Sequence, residues 1–237
     1  MFDLHKNKLR YLNDIKTLND VDGRIKPSRI FKTINGNDEI TIDYYRTCLQ
    51  KIRYCIEDLN LEIDKINSDN CDRADITYII LCVTWIKDAF WNIKKDLVEV
   101  IQDEIDSNVM KKYKDFVEAF RSFSIAHPLN TTKHEDFGLN KDYMNIDINK
   151  VSGDLLIALC FESEQVFHLS LEGLEEVKNI KNDDFYFTTY DKKGKYSKFS
   201  FCIGCKFSDL YEVAQAYIDK LYEIDLLIRR LAKKHII

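Results

Sequence analysis

Residues 45–66 read YRTCLQKIRYCIEDLNLEIDKI and residues 76–100 read ITYIILCVTWIKDAFWNIKKDLVEV, and these two segments decide the fold. In both, apolar residues recur at alternating steps of three and four, which places them along one side of an α-helix. The joint between them, residues 67–72, is rich in Asn, Asp and Ser, which favour turns and helix caps. Because a short connection makes neighbouring helices antiparallel, the sequence predicts a long helical hairpin. The predicted buried positions include Leu49, Ile52, Ile56, Val83, Phe90 and Leu97.

Two more amphipathic helices are predicted farther along the chain. One covers about residues 108–126, and the other covers about residues 208–234. Ser208 and Asp209 form a candidate N-cap for the last helix. Four amphipathic helices of this length predict a helical bundle.

The region from about residue 153 to residue 206 has the pattern of strands. Its short β-branched or aromatic runs are separated by turn-forming residues, and residues 191–194 form a predicted hairpin turn. Residues 128–153 show no clear periodicity, so we expect a loop there. The predicted strands cover residues 155–161, 165–169, 185–190 and 196–203.

The expected fold class is therefore α+β, mainly α. It is a four-helix bundle with a small antiparallel β-sheet inserted between the third and fourth long helices. Residues 1–40 are predicted to form a polar N-terminal arm. Residues 41–237 are predicted to form a single helical-bundle domain, with the β insertion at about 153–206.

The composition limits the class of partner and the compartment. The net charge of −5 gives the chain as a whole no attraction for nucleic acid, so a polyanion site has to be a local patch. The N-terminus lacks the apolar core of a signal peptide, and the most apolar window, residues 76–86, is interrupted by threonines. We expect no membrane segment and a cytoplasmic location. The seven scattered cysteines are expected to be reduced thiols.

The run Arg121-Ser-Phe-Ser-Ile-Ala-His127-Pro128 closes the third predicted helix. The residue before a proline is disfavoured in the α region, so His127 is expected at a helix end. A helix C-terminus favours a protonated imidazole. Arginine binds phosphate oxygens through a fork of donors, and histidine exchanges protons near neutral pH. The pair Arg121 and His127 therefore suits phosphate chemistry.

This Arg–His pair resembles the Arg-x(4–6)-His signature of the HEPN superfamily. That superfamily comprises small helical-bundle proteins, many of which are metal-independent ribonucleases of toxin, antiviral or RNA-processing systems. The resemblance implies RNA as substrate, no metal and no cofactor, with Arg121 and His127 as the catalytic residues. It also implies a homodimer in which two motifs line one cleft. Two departures stand out: Ser122 replaces the family's common Asn, Asp or His, and five residues separate Arg121 from His127, where four is commoner.

If the resemblance holds, His127 takes the proton of the RNA 2′-hydroxyl and Arg121 holds the phosphoryl charge. Six residues of an ideal helix turn through about 600°, so the two side chains need a break in the helix or a second subunit to meet. An apolar surface around Phe116, Phe120 and Phe123 is the predicted dimer contact. Three alternatives stay open. Arg121 pairs with Glu118 while His127 caps the helix, the helical hairpin docks a protein partner without catalysis, or the Arg–His cleft binds a nucleotide as a regulator.

Further candidate substrate-binding residues lie near the motif and in the β region. Ser122, Lys133 and His134 are close to the Arg–His pair in sequence. Lys192 and Lys193, in the predicted hairpin turn, are placed to contact phosphates, although a solvated turn has the same composition. Cys202 and Cys205 form a lone Cys-x-x-Cys without the second pair that a zinc ribbon needs, so two buried thiols are expected there.

Overall fold

The computed structural model of the chain describes residues 2–15, 39–95, 97, 108–122, 124, 129–131, 144–151, 165–191 and 199–235. It is an α+β fold in which helix predominates, as the sequence predicts. The long helices are α1 (Glu39–Asn67), α2 (Arg73–Lys95), α3 (Asn108–Arg121) and α4 (Phe207–His235), and Leu12–Asp14 forms a short 3-10 turn.

Helices α1 and α2 form the predicted antiparallel hairpin. Near the C-terminal end of α1, the Lys65 ammonium donates to the Asp75 carboxylate at the start of α2 over 2.7 Å. Farther back on α1, the Lys51 ammonium lies 3.2 Å from the ring centre of Trp85, farther along α2. A contact farther back on α1 thus has its partner farther forward on α2, so the two helices are antiparallel. The six apolar residues predicted to be buried here are confirmed: Leu49, Ile52, Ile56, Val83, Phe90 and Leu97.

The turn between these helices is fixed by its own polar groups. Asp69 has a positive φ of 60°, and the Asn70 amide donates to the Lys65 carbonyl over 2.9 Å. The next helix is then capped reciprocally. The Asp72 carboxylate accepts from the Asp75 amide, and the Asp75 carboxylate accepts from the Asp72 amide, each over 2.9 Å. This exchange satisfies two amide donors and sets the start of α2.

Helix α2 is the centre of the helical layer. It packs against α1, α3 and α4, and the Phe90 ring centre lies 5.0 Å from that of Tyr217 on α4. By length and composition alone α2 is apolar enough to cross a membrane, but 61% of its most apolar stretch is buried inside the protein. This burial is the behaviour of a core helix.

The chain also forms one six-stranded sheet in the order β1-β2-β5-β6-β3-β4. All neighbouring pairs are antiparallel except β3 and β6, which are parallel. The strands are β1 (Leu129–Thr131), β2 (Met144–Lys150), β3 (Gln165–Ser170), β4 (Gly173–Glu176), β5 (Phe185–Asp191) and β6 (Phe199–Cys205).

Two parts of the predicted β region are corrected by this topology. The sheet is mixed, because β6 lies between β5 and β3, and the long connection from β3 allows β6 to run parallel to it. The sheet also begins earlier than residue 153, since β1 and β2 lie within the segment predicted to be a loop. Three predicted strands are confirmed as β3, β5 and β6, whereas residues 155–161 lie outside the described residues.

One face of the sheet packs on the helices through aromatic residues. The ring of Phe120 on α3 lies 6.0 Å from Phe185 and 5.9 Å from Phe187, both on β5. Phe116 and Phe120 are therefore buried within the chain. The prediction that they form an exposed dimer contact is wrong, because the sheet covers this side of α3. Phe123 lies outside the part of the chain that the structure describes.

The N-terminal segment lies on the helices and is held by a buried amide. The Asn60 side chain accepts from the Leu9 amide over 2.7 Å and donates to the Leu9 carbonyl over 3.1 Å. The Arg10 amide donates to Gln215 on α4 over 3.0 Å. Residues 2–15 of the predicted arm thus contact both α1 and α4. The division into arm and domain stays a prediction, because residues 16–38 lie outside the described ranges.

Two residues of α1 allow a direct test of the helical core. Ile63 is 1% exposed and Leu61, two positions earlier, is 63% exposed. We expect Ile63→Ala to lower the free energy of unfolding by about 2–5 kcal/mol, because it leaves a cavity. Leu61→Ala is the matched control and should change it by less than about 0.5 kcal/mol. Urea unfolding followed by circular dichroism measures both, and equal losses would contradict the assignment of the buried face.

Candidate functional site

Helix α3 ends at Arg121, and the backbone changes directly after it. The Arg121 side chain is exposed, whereas Ser122 is only 7% exposed. Ser122 and Ser124 lie in a π-helical turn, and the Ser124 hydroxyl donates to the Phe120 carbonyl over 2.7 Å. Single π turns are rare and are found frequently at functional sites. This end of α3 presents one arginine to solvent.

Of the predicted site residues, the structure places only Arg121 and Ser122. They are adjacent, but Ser122 is turned toward the protein interior, which makes it a poor candidate for substrate contact. The pairing of Arg121 with its histidine therefore stays a prediction. The predicted residues outside the described ranges are His127, Lys133, His134, Lys192 and Lys193.

The alternative partner of Arg121, Glu118, has other ion pairs. Its carboxylate lies 3.5 Å from the Lys87 ammonium of α2 and 3.8 Å from the Lys114 ammonium of α3. The Lys87 side chain is only 4% exposed and also contacts Asp88 over 2.9 Å. The negative charge of Glu118 thus compensates the positive charge of the buried Lys87 at the contact between α2 and α3.

A row of cations follows the same side of α3 toward Arg121. Lys111, Lys114 and Arg121 are separated by three and seven residues, which places them on one side of the helix. At 1.5 Å per residue, Lys114 and Arg121 are about 10.5 Å apart along the axis. The Lys114 ammonium also lies 5.6 Å from the ring centre of Trp91 on α2. Asp115 and Glu118 lie among these cations on the same side, and Glu118 pairs with Lys114, so the row has a small net positive charge.

Trp91 is held in place beside this row. Its indole N–H donates to the Tyr217 hydroxyl over 3.3 Å, and its ring lies edge-on to Phe90. A second ammonium, that of Lys94, lies 4.7 Å from the Trp91 ring centre. The Trp91 ring is partly buried and Lys94 is only 6% exposed, so these cation–π contacts hold the ring in place within the packing.

A groove of about 740 Å³ lies between α3 and the β3–β4 hairpin, and Lys111 of the cation row is among its lining residues. Lys112 of α3 donates to Glu172 of the hairpin over 2.7 Å, which joins the two walls. The groove extends along α3 as far as Ala119, within one helical turn of Arg121. Its apolar lining consists of Phe116, Ala119, Leu169, Leu171 and Leu174.

The sheet carries a histidine–aspartate pair that was not predicted from the sequence. His168 of β3 lies with Nδ1 2.8 Å from the Asp183 carboxylate, whose side chain is 5% exposed. Gly204 of β6 is opposite His168 in the register, and a Cβ on Gly204 would lie 2.0 Å from Asp183 Oδ2. Burial raises the pKa of Asp183, and His168 opposes this shift. Gly204, directly after the predicted strand 196–203, is the one sequence signal that points to such a close approach.

Two more aspartates, the half-buried Asp184 and the buried Asp209, lie at the start of α4. The Asp184 carboxylate accepts from the Phe207 amide over 2.8 Å, so Asp184 caps this helix, and the predicted N-cap at Ser208 and Asp209 is wrong. Burial raises the pKa of Asp184, and the Phe207 amide opposes the shift. Asp209 is 6% exposed, and burial raises its pKa as well.

The described residues contain no group of three or more His, Cys, Asp or Glu side chains arranged to hold a metal ion. Cys202 and Cys205 are free and buried, as predicted for this pair. They contribute to different apolar clusters on the two faces of β6, which separates their thiols. Comparisons with protein-family models, with curated proteins and with solved structures found no match to this chain.

The raised pKa of Asp209 predicts a pH-dependent stability. Because its folded pKa lies above the unfolded value of 3.8, the folded state binds this proton more tightly. The resulting stabilisation is complete below pH 3.8 and is lost as the pH rises through the folded pKa. Asp209→Asn, which does not ionise, should therefore have a higher urea midpoint than the unmodified protein at pH 7.

The difference should shrink as the pH is lowered toward 4, where Asp209 itself becomes protonated in the unfolded chain. Asp219→Asn, an exposed change on the same helix, is the control and should have little effect at either pH. An Asp209→Asn protein that is less stable than the parent at pH 7 would show that the carboxylate is needed in its charged form.

Proposed function

We propose that this protein is a HEPN-like, metal-independent endoribonuclease or RNA-binding protein of a microbial toxin or antiviral defence system. Arg121 and His127 are its catalytic pair. The observation that carries the proposal is the exposed Arg121 at the last position of α3, directly before a π-helical turn. The cation row toward Arg121 supports RNA as the substrate, since phosphate contacts from lysine and arginine dominate nucleic-acid affinity.

The π turn also bears on the spacing of the motif. A π turn closes its hydrogen bonds between residues five apart, one more than in an α-helix. It therefore takes up one extra residue without advancing the helix by a further step. Five residues separate Arg121 from His127, one more than the commoner family spacing, and in this proposal the π turn at Ser122 and Ser124 takes up the extra residue.

In this proposal Arg121 binds a nonbridging phosphate oxygen through its guanidinium fork, and it stays charged throughout. His127 accepts the proton of the 2′-hydroxyl as that oxygen attacks the phosphorus. The bond from phosphorus to the 5′-oxygen breaks, which leaves a 2′,3′-cyclic phosphate, and water supplies the proton of the departing 5′-hydroxyl. Acid–base help of this kind is worth about 10²- to 10⁴-fold. Lys111 and Lys114 hold the neighbouring phosphates. Lys133, His134, Lys192 and Lys193 stay candidate contacts for the rest of the strand.

The proposal includes the finer architecture and assembly expected of this superfamily. Helices α1 to α4 form its four-helix bundle around α2, with the sheet as the insertion. A homodimer brings two Arg–His motifs together across a two-fold axis. The protein acts in the cytoplasm, where the free thiols of its six described cysteines are stable.

Arg121→Ala tests the catalytic assignment. We expect it to lower the rate of cleavage of a fluorescent single-stranded RNA by about 10²- to 10³-fold, because it removes the group that holds the developing phosphoryl charge. His127→Ala should be at least as damaging. Arg53→Ala, an exposed arginine paired with Glu57 on α1, is the matched control and should leave the rate unchanged.

The assay is run in EDTA, and thermal unfolding of each variant is measured beside it. Cleavage that requires Mg²⁺, or that survives Arg121→Ala, contradicts the proposal. If the unmodified protein binds this RNA without cutting it and Arg121→Ala weakens the binding, the RNA-binding form of the proposal holds. If it neither binds nor cuts, the non-catalytic alternative, a helical protein that docks a partner, takes its place.

A further inference from the structure

Strand β4 lies at one end of the sheet and leaves one side of its backbone available. Among the strands that the structure describes, β3 is its single neighbour. The Val177 amide donates to the Val166 carbonyl over 2.8 Å, which makes this a hydrogen-bonded pair of the ladder. Bonded and non-bonded pairs alternate along an antiparallel ladder. The bonded positions of β4 are therefore Gly173 and Glu175, opposite Ser170 and His168.

It follows that the backbone groups of Leu174 and Glu176 point away from β3. Leu174 and Glu176 face Leu169 and Phe167 at the non-bonded positions of the ladder. Their N–H and C=O groups are thus directed to the free edge of the sheet. Spaced two residues apart, they form the pattern that an added β-strand pairs with.

The groove beside α3 adjoins this edge. Leu174 lines the groove as well as belonging to the edge strand, and Leu171 and Phe116 continue its apolar surface. A strand added to β4 directs alternate side chains to the two faces of the sheet. One of its two sets of side chains therefore enters the groove of about 740 Å³, where apolar groups are covered.

The charge of this edge selects the kind of strand. Glu172, Glu175 and Glu176 are all exposed and lie within five residues of one another. Glu172 already binds an ammonium group, that of Lys112, over 2.7 Å. A second copy of β4 would bring the same glutamates close to one another, and like charges on paired strands are destabilising. The edge is thus suited to a basic strand and unsuited to self-pairing.

We propose that the β4 edge and the adjoining groove bind an extended basic peptide segment of a partner protein by β-strand addition. Backbone hydrogen bonds to Leu174 and Glu176 supply the pairing. Lysine or arginine side chains of the peptide contact the edge glutamates, and its alternate apolar side chains enter the groove. This interaction is separate from the proposed RNA chemistry at Arg121 and does not depend on it.

The test uses a fluorescein-labelled ten-residue peptide of alternating lysine and valine, titrated with the full chain and followed by fluorescence anisotropy. We expect saturable binding. The same peptide methylated on every second backbone nitrogen keeps its charges and loses half its N–H donors. When the methylated nitrogens are the ones that would donate to β4, we expect this peptide to bind at least tenfold more weakly than the parent peptide. Both registers are tested, and equal binding by both and by the parent peptide would overturn strand addition.

Charge reversal at the edge tests the selectivity. Glu175→Lys combined with Glu176→Lys should lower the affinity for the lysine–valine peptide at least tenfold. The same double variant should gain binding of an alternating glutamate–valine peptide. Asp219→Lys combined with Glu223→Lys changes the net charge equally on an exposed part of α4 and is the matched control. An unchanged affinity in the edge variant, or an equal loss in the control, would overturn the assignment to β4.

Hydrogen exchange on the unmodified protein gives a second measurement that does not require the variants to fold. The amides of Leu174 and Glu176 should gain protection when the lysine–valine peptide is added. Protection that appears only elsewhere would overturn the proposal, as would the absence of saturable peptide binding. A dimer that light scattering detects and that the edge variant disrupts would assign the edge to a second copy and overturn the proposed occupant.

Discussion

The need to cover helix α2 on several sides determines the arrangement of the other elements. Ile79, Val83, Ile86 and Phe90 are all fully buried, and burying one such side chain contributes about 1.5–3 kcal/mol. No single neighbour covers this surface, so α1, α3 and α4 each pack on it. The sheet then covers the aromatic side of α3. The exposed position of Arg121 follows from this packing, because both apolar sides of α3 are already occupied.

The helices were predictable because their signal is local and long. The heptad spacing of residues 45–66 and 76–97 persists over many turns, and the cap residues Asp72 and Asp75 mark the joint. The strands were harder. In β2, Met144, Ile146 and Ile148 alternate with polar residues, which is a strand signal, but it is short and lies in a polar region. β4 has only four residues and no pattern of its own, since its pairing with β3 defines it.

The candidate site was likewise predictable only where its signal is local in the sequence. Arg121 was identified from a short motif, and its place at the end of a helix follows from the adjacent sequence. The cluster of His168, Asp183 and Gly204 was not predictable, because the parallel register of β3 and β6 brings its members together. The cap of α4 by Asp184 is also non-local, because the antiparallel pairing of β5 with β6 brings Asp184 to Phe207. The nearby Ser208 and Asp209 had the more obvious local pattern.

The contact of the N-terminal segment with α4 has a consequence for how the chain folds during synthesis. The Arg10 amide bonds to Gln215, and the Tyr222 hydroxyl donates to the Tyr11 carbonyl, so these contacts close a loop of more than 200 residues. The hairpin of α1 and α2 joins near neighbours and is available early on the ribosome. Arg10 and Tyr11, by contrast, find their α4 partners only after more than 200 further residues have been translated. Until then the buried side chains of Leu9, Leu12 and Ile15 lack part of their cover, and a nascent-chain chaperone has its natural target there.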